Sequence, residues 1–521
     1  MNNNGILLAA LIGIFALSPV LADNPLISQK YTADPQAFVW NDRVYVYCSR
    51  DDQNILDPND ANIVLYEIVD YTLVSSDDMT NWTDHGEVFK VPRDARWVGR
   101  AFAPGVAVRN GKIYLYVPNG THTIGVVTAD RPEGPWTDPL ARGNNRTDNP
   151  FITKSMENSD VDWLFDPAAF IDDDGQAYLY FGGGAPWGEN LRVIKLNDNM
   201  SSVSGTAVTI TAPRSFEAAY MHKYKDTYYF TYSTDFSQRN HPAIDYMTSS
   251  NPMAGFVRRG TVLLNPALNG QNINQNNNNH ASIVEYKGKW YIFYHDRRIS
   301  NDIRFRNVSV DTLGYNTDGT IKPVAVTSDG PPQIKYLNPY DTVRATTINK
   351  QSGIKTAESS EGGMMLTSIS DGDYIRIKGV DFGKGTVKFA ARAASNSSSG
   401  GSIELRLGSE TGTLVGTCNI TATGSWTTWK TFECDISNCS GVKDYLYLVF
   451  KGAGEPFRLS WYKFDETQTT TPVANYPLPA IHSEIPVYYT VKGEPLGGTK
   501  PVKPGVYLVK LGNSVQKIAV K

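Results

Sequence analysis

The chain has 521 residues, enough for two or three domains. Tyrosine (29), glycine (44) and proline (29) are plentiful and amphipathic helical runs are scarce, which predicts an all-β protein and excludes a helical bundle. A formal net charge of −4 leaves no basic footprint for nucleic acid or an anionic membrane.

In chain order, the apolar run from Ile6 to Ala22 ends Val20-Leu21-Ala22 and reads as a signal peptide over residues 1–22, removed before Asp23. The first five residues lack Lys and Arg, but the run is short for a membrane span and a proline interrupts it. No later stretch is long and apolar enough to cross a bilayer, so the expectation is a secreted, periplasmic or cell-surface protein.

Residues 24–330 carry a pattern that recurs five times. The copies open at Asp34 (DPQAFVWNDRVYVYCS), Ala103 (APGVAVRNGKIYLYVP), Asp166 (DPAAFIDDDGQAYLYFGG), Glu217 (EAAYMHKYKDTYYFTYS) and His280 (HASIVEYKGKWYIFYH). Each has a lead residue, a short apolar strand, a polar turn and an aromatic-rich strand. A tyrosine follows the lead by eleven residues in four copies (Tyr45, Tyr114, Tyr228, Tyr291) and by twelve in the other (Tyr178). Leads spaced by 69, 63, 51 and 63 residues predict one four-stranded blade per repeat, hence a five-bladed β-propeller. The innermost strands of a propeller line its axis, so the five leads converge there. Alone, Asp34-Pro35 and Asp166-Pro167 would be ordinary turn dipeptides. Three acids at one register of a repeat predict instead an acid–base site at the mouth of the channel.

Around that mouth, Trp97 and Phe102 precede the second lead, and Trp187 lies in a Gly/Pro-rich loop after the third. These aromatic faces are candidates to stack on a sugar. The polar run Gln271 to Asn279 reads as a mouth-lining loop. Ser75-Ser76-Asp77-Asp78 to Asn81-Trp82 reads as a structural β-turn with a tryptophan tucked beneath it. His280 has no second ligand-type histidine nearby in sequence, so no local zinc motif forms.

Residues 335–464 predict a β-sandwich, or jelly roll, from short alternating runs such as Asp373-Tyr374-Ile375-Arg376-Ile377 and Tyr445-Leu446-Tyr447-Leu448-Val449-Phe450 between Gly/Ser turns. Of the four cysteines, Cys48 stands alone in a blade strand. Cys418 and Cys434 flank the turn at Thr423-Gly424-Ser425-Trp426 and form one candidate disulfide pair; Cys434 and Cys439 form the competing one. A Thr-rich linker at Thr467 to Thr471 leads to a tail over residues 472–521.

The five leads, with Tyr31-Thr32-Ala33-Asp34-Pro35, Phe165-Asp166-Pro167, Phe216-Glu217-Ala218 and Asn279-His280-Ala281, resemble glycoside hydrolase family 43. The resemblance implies inverting hydrolysis of xylans, arabinoxylans or arabinans. Asp34 would be the general base, Glu217 the general acid, and Asp166 the residue that orients the acid and modulates its pKa. His280 would face a metal ion on the propeller axis, calcium held largely through water. Arg306, in Phe305-Arg306-Asn307, would lie near the terminal sugar. Phe102-Ala103-Pro104 stands where many members have Trp-Ala-Pro.

The chemistry fits independently. Inversion needs an acid and a water-activating base on opposite faces of the bond, with carboxyls about 6.5–9.5 Å apart, and residues from different blades can span such a gap. The acid must stay protonated near neutrality, which a third carboxylate assists.

Asp371-Gly372-Asp373-Tyr374, Thr423-Gly424-Ser425-Trp426 and Trp461-Tyr462-Lys463-Phe464 resemble a family 6 carbohydrate-binding module. Arg344-Ala345-Thr346 and Ser460 replace the acids that hold that family's calcium, so none is expected in the sandwich. Ser368 stands where a stacking tyrosine is often found. The tail resembles a short type IX sorting domain; the alternative is a β-hairpin packed on the body. The expectation is an exo-acting inverting pentosidase on arabinoxylan or a related plant cell-wall polysaccharide: an α-L-arabinofuranosidase first, a β-xylosidase second, and, from another class, a non-catalytic sugar-binding propeller.

Overall fold

A computed structural model describes residues 23–51, 67–140, 150–234, 242–265, 278–302, 304–466 and most of 487–520. The expected signal peptide, the Thr-rich linker and positions 271–277 of the polar run lie outside these.

Five antiparallel sheets follow one another along the first 313 residues, and every described element is a strand. Blade I holds Tyr31–Trp40, Arg43–Asp51, Asp70–Ser76 and Trp82–Lys90. Blade II holds Gly105–Arg109, Lys112–Asn119, Thr123–Ala129 and Ile152–Thr153. Blade III holds Ala168–Ile171, Ala177–Phe181, Leu191–Leu196 and Val203–Ile210. Blade IV holds Ser215–Tyr224, Thr227–Thr234, Ile244–Ser249 and Val257–Leu263. Blade V has three strands, Ala281–Tyr286, Lys289–Asp296 and Asn307–Leu313. All five repeat tyrosines fall in the second strand of their blade.

Period-2 alternation explains why those second strands are so apolar. A blade is buried on both faces. Val44, Val46 and Cys48 pack against Tyr291, Phe293 and Val308 of blade V, while Tyr47 packs with Leu115 and Val117 of blade II. Similar clusters fill the other three junctions, one between each pair of neighbouring blades. The circle closes where the N-terminal segment runs beside the last strand of blade V: Leu26 N–H donates to Val308 O at 2.9 Å, and Val310 N–H to Asn24 Oδ1 at 3.0 Å.

The sandwich has two layers, one of five strands plus the short Val343–Arg344 paired with Arg458–Glu466, and one of five. One contains Lys355–Glu358, Met364–Thr367, Arg458–Glu466, Thr386–Ala394 and Trp429–Asp435. The other contains Lys350–Ser352, Tyr374–Asp381, Val442–Lys451, Gly401–Leu407 and Thr413–Ile420. Inward residues of both layers, among them Phe389, Tyr462, Phe464, Ile403, Leu448 and Phe450, share one core.

Propeller and sandwich form one compact unit, which sequence alone did not reveal. Thr347–Ile348 pairs antiparallel with Trp82 and Thr83, adding a fifth strand to blade I. Buried polar bonds surround this splice. Arg376 Nη2 donates to Asp23 Oδ1 at 3.0 Å, and Lys378 pairs with the same carboxylate. Asn349 Nδ2 donates to Thr80 O at 3.0 Å, and Thr356 Oγ1 to Asp84 Oδ2 at 2.8 Å. The turn at Asp78 serves the joint: its carboxylate accepts from the Thr80 and Asn81 amides, and Asn81 in turn bonds both Lys378 N–H and Lys378 O. Trp82 is buried edge-on against Phe293. The tail forms a separate unit of four strands in one sheet, Val487–Thr490, Pro495–Gly497, Gly505–Leu511 and Ser514–Val520.

Because the joint is built from buried charges, propeller and sandwich are expected to unfold in one transition, and Arg376→Ala should destabilise both together. The change removes one of Asp23's two cationic partners and the bond to Asn349, a loss read as a lowered urea midpoint. Two separate transitions in the wild-type protein would contradict this coupling.

Candidate active site

Asp34 and Glu217 lie within the innermost strands of their blades, and Ala103, Asp166 and His280 lie just before theirs. Asp34 and Asp166 adopt φ of 49° and 47°, and Ala218, beside Glu217, has φ of 61°. Ladder pairing slips between Ala33 and Gln36 and again between Glu217 and Tyr220. Left-handed backbone at a residue other than glycine costs on the order of 1–3 kcal/mol. Here it turns the carboxylates out of the sheet plane, as β-bulges near active sites do.

All five leads line one cavity of about 340 Å³. Its polar side is Asp34, Asp166, Glu217, His280 and Arg306; its apolar side is Phe102, Trp163, Phe165 and Phe216. Asp34 Oδ1 accepts from Arg306 Nη1 at 2.9 Å, and Oδ2 from Ser49 Oγ at 2.6 Å. Arg306 also forms a bidentate pair with Asp51, Nε to Oδ2 and Nη2 to Oδ1, each at 2.9 Å. The Asp34 amide donates to His295 Nδ1 at 3.3 Å while His295 Nε2 bonds Asn278 O at 3.0 Å, so His295 carries its proton on Nε2. Asp166 Oδ2 accepts the Ala218 amide at 3.1 Å, which fixes the backbone next to Glu217. His280 Nδ1 stands 3.8 Å from Asp34 and 3.9 Å from Asp166, beyond hydrogen-bond reach of either.

These contacts separate the acids by charge state. Burial pushes the Asp34 carboxyl up, but Arg306, His295, His280 and the Ser49 hydroxyl overcome it and hold its pKa at about 2. Glu217 is pushed up to about 8, by burial first and then by the Asp34 charge, against opposing contributions from Asn278 and Arg306. Asp166 is also pushed well up, by burial and then by Glu217 and Asp34. Near neutrality Asp34 is therefore ionised, while Glu217 retains its proton. Burial lowers His280 to about 4, so it is neutral there.

The other predicted positions divide. Phe102 lines the cavity, edge-on to Phe165. Arg306 lines it too, and its guanidinium bridges Asp34 and Asp51. Trp187, 39% exposed, is edge-on to Trp163 and Phe216 and extends the aromatic wall outward. Trp97 does not reach the cavity, a correction to the sequence expectation. It is 8% exposed, in the core between blades I and II, and its ring fills the space that a side chain at Gly125 would need. Trp163, Phe165 and Phe216 were missed as cavity-lining residues, although a signal existed for the two phenylalanines: the residue before the lead is aromatic in three repeats, Phe102, Phe165 and Phe216.

For the axial metal, no group of three or more His, Cys, Asp or Glu gathers as a direct ligand set among the described residues. The buried amide groups of Gln36 and Asn279, near Asp34 and His280 in the chain, lack protein partners at Gln36 Nε2 and at both Asn279 side-chain atoms. Such groups suit water, and with His280 they fit an ion held through water. In the sandwich, Arg458 covers the Trp426 ring at 4.7 Å, and the Ser368 amide donates to Glu455.

Residues 22–321 match Glycosyl hydrolases family 43, and residues 344–466 match Carbohydrate binding module (family 6). Arabinoxylan arabinofuranohydrolase of Bacillus subtilis is 39% identical over 491 residues, spanning 85% of this chain and 92% of its own. The Paenibacillus polymyxa protein of the same name is 38% identical, over 83% of this chain and 72% of its own. The crystal structure of the family 43 arabinoxylan arabinofuranohydrolase from B. subtilis in complex with cellotetraose superposes with a TM-score of 0.78 at 38% identity, covering 86% of this chain and 98% of that one. The family match over more than half the chain and these near full-length relatives lead to one conclusion: the chain belongs to glycoside hydrolase family 43.

Proposed function

We propose that this glycoside hydrolase removes terminal α-L-arabinofuranosyl side chains from arabinoxylan with inversion of configuration. The observation that carries the reading is the opposite charge state of two acids facing one small cavity: ionised Asp34 and protonated Glu217. Glu217 donates its proton to the glycosidic oxygen as that bond breaks. A water attacks the anomeric carbon from the opposite face and gives its proton to Asp34. Product leaves with Glu217 ionised and Asp34 protonated, and exchange with solvent restores both. Asp166 positions Glu217 through the Ala218 amide. A cavity of about 340 Å³ suits one terminal pentose between the aromatic wall and the acids. Names of the full-length relatives support arabinoxylan as substrate. A β-xylosidase is the second reading, since a terminal xylosyl unit is also a pentose. Arabinose as the sugar released from arabinoxylan supports the first; xylose alone would replace it with the second.

Export is part of the proposal, resting on the Ile6 to Ala22 run. So is an axial calcium held through water near His280, which would supply positive charge behind the carboxylates. Calcium should raise the melting temperature of metal-stripped protein, as any ligand specific for the folded state does, and His280→Ala should diminish the rise. An unchanged melting temperature at millimolar calcium would remove the ion from the scheme.

Glu217→Ala should lose far more activity on arabinoxylan than on an aryl arabinofuranoside, whose phenolate leaves without protonation. The gap should be of the order of general acid catalysis, about 10²–10⁴-fold. Asp34→Ala should lower both alike, because both reactions need an activated water. Equal losses for Glu217→Ala on the two substrates would contradict its role as acid.

The pH profile follows from the same groups. Activity requires Glu217 protonated, so kcat/KM should fall as pH rises through about 8. Asp34, at about 2, stays ionised far below that and sets no limb near neutrality. Asp166→Asn keeps an acceptor for the Ala218 amide but removes a neighbouring carboxyl whose ionised form opposes ionisation of Glu217, so Glu217 loses its proton more easily and the basic limb moves to lower pH. A limb that moves upward would reverse the sign assigned to Asp166.

A further inference from the structure

Thr413–Ile420 and Trp429–Asp435 are edge strands of opposite sandwich layers and do not pair in a ladder. They nevertheless meet side by side. Ser437 N–H donates to Val415 O at 3.0 Å, and a side chain at Gly416 would meet Asp435 O at 3.0 Å, so only glycine leaves that approach unhindered. Cys418 points inward from the first strand and is fully buried in the core. Cys434, on the second, packs against the same core while staying partly exposed. The Ser437–Val415 bond and the Gly416–Asp435 approach set an antiparallel register that brings Cys418 opposite Cys434, where their thiols interact. Cys439 is buried near the start of a neighbouring strand, where its carbonyl accepts the Thr386 amide. Cys48 lies in blade I, in the core facing blade V.

We infer that Cys418 and Cys434 form a disulfide that ties the open edges of the two sandwich layers together. Of the two candidate pairs in the sequence, the fold brings this one into contact. The bond would close a loop of fifteen intervening residues that carries the Trp426 turn, restricting the unfolded chain. Chemically, Cys434 is the accessible thiol, and its interaction with Cys418 eases its ionisation. Its thiolate attacks a disulfide of the glutathione type and expels one thiolate. Cys418 then loses its proton and attacks the mixed disulfide at Cys434, expelling the second. One S–S bond forms, the two cysteines lose two hydrogens in total, and the oxidant leaves as two thiols.

Peptide mapping of the full chain tests this. Trypsin cleaves after Arg406 and Lys430 and separates Cys418 from the peptide that holds both Cys434 and Cys439. After equilibration with oxidised glutathione, the two peptides should travel as one species, two hydrogens lighter than their sum and split by reductant. Cys439→Ser should keep the link, and Cys434→Ser should abolish it. The oxidised wild type should also show a higher urea midpoint than the reduced form, a difference absent from Cys434→Ser. A link within the Cys434–Cys439 peptide, or Cys418 and Cys434 both still alkylatable after oxidation, would overturn the assignment. So would a cross-link that survives in Cys434→Ser.

Discussion

The guanidinium of Arg306 is the interaction on which the site depends. It is fully buried and bridges two carboxylates, Asp34 from the first strand of blade I and Asp51 from the end of the second. A lone buried positive charge would be prohibitive, and so would two lone buried carboxylates. Together they form a fixed cluster in which Asp34 is both neutralised and oriented. Glu217 and Asp166 face the same cavity without such a partner of their own. The unequal distribution of one cation among three acids therefore separates the ionised carboxylate from the protonated one. Because Arg306 comes from the start of blade V's last strand, the closure of the propeller also sets the charge pattern at its centre.

The apolar half of the cavity obeys a different constraint. The left-handed turn at Asp166 and the bulge at Glu217 place the preceding residues, Phe165 and Phe216, on the same cavity. Position in the repeat thus fixes a pairing of acid with aromatic, and a blade supplies a polar and an apolar wall of the cavity from two adjacent residues. Trp163 and Trp187 widen this surface away from the acids.

Much of this was legible in the sequence because the repeat carries it. Five leads at regular intervals implied five blades and a common point of convergence, and the cavity holds all five. What escaped notice lacks a repeating register. Asp51, Ser49 and His295 act on Asp34 from the far ends of strands, and one chain offers no periodic cue to such partners. Trp97 was misplaced for a similar reason: nearness in sequence to a lead says nothing about whether a ring points to the mouth or into the junction, and Gly125, twenty-eight residues on, decided it. The joint with the sandwich was equally hidden, since Thr347 and Ile348 look like any short strand until blade I is seen to have an edge for them.

That joint governs how the second module can serve the first. A binding module on a flexible tether raises the local concentration of polymer around a catalytic domain by roaming within the tether's reach. Here the fifth strand on blade I and the buried Asp23–Arg376 pair remove that freedom. A polysaccharide held on the sandwich would present its side chains to the cavity along one fixed direction. Effective concentration then becomes a matter of alignment: linkages in register with the cavity would be favoured, and those out of register would gain nothing from the module.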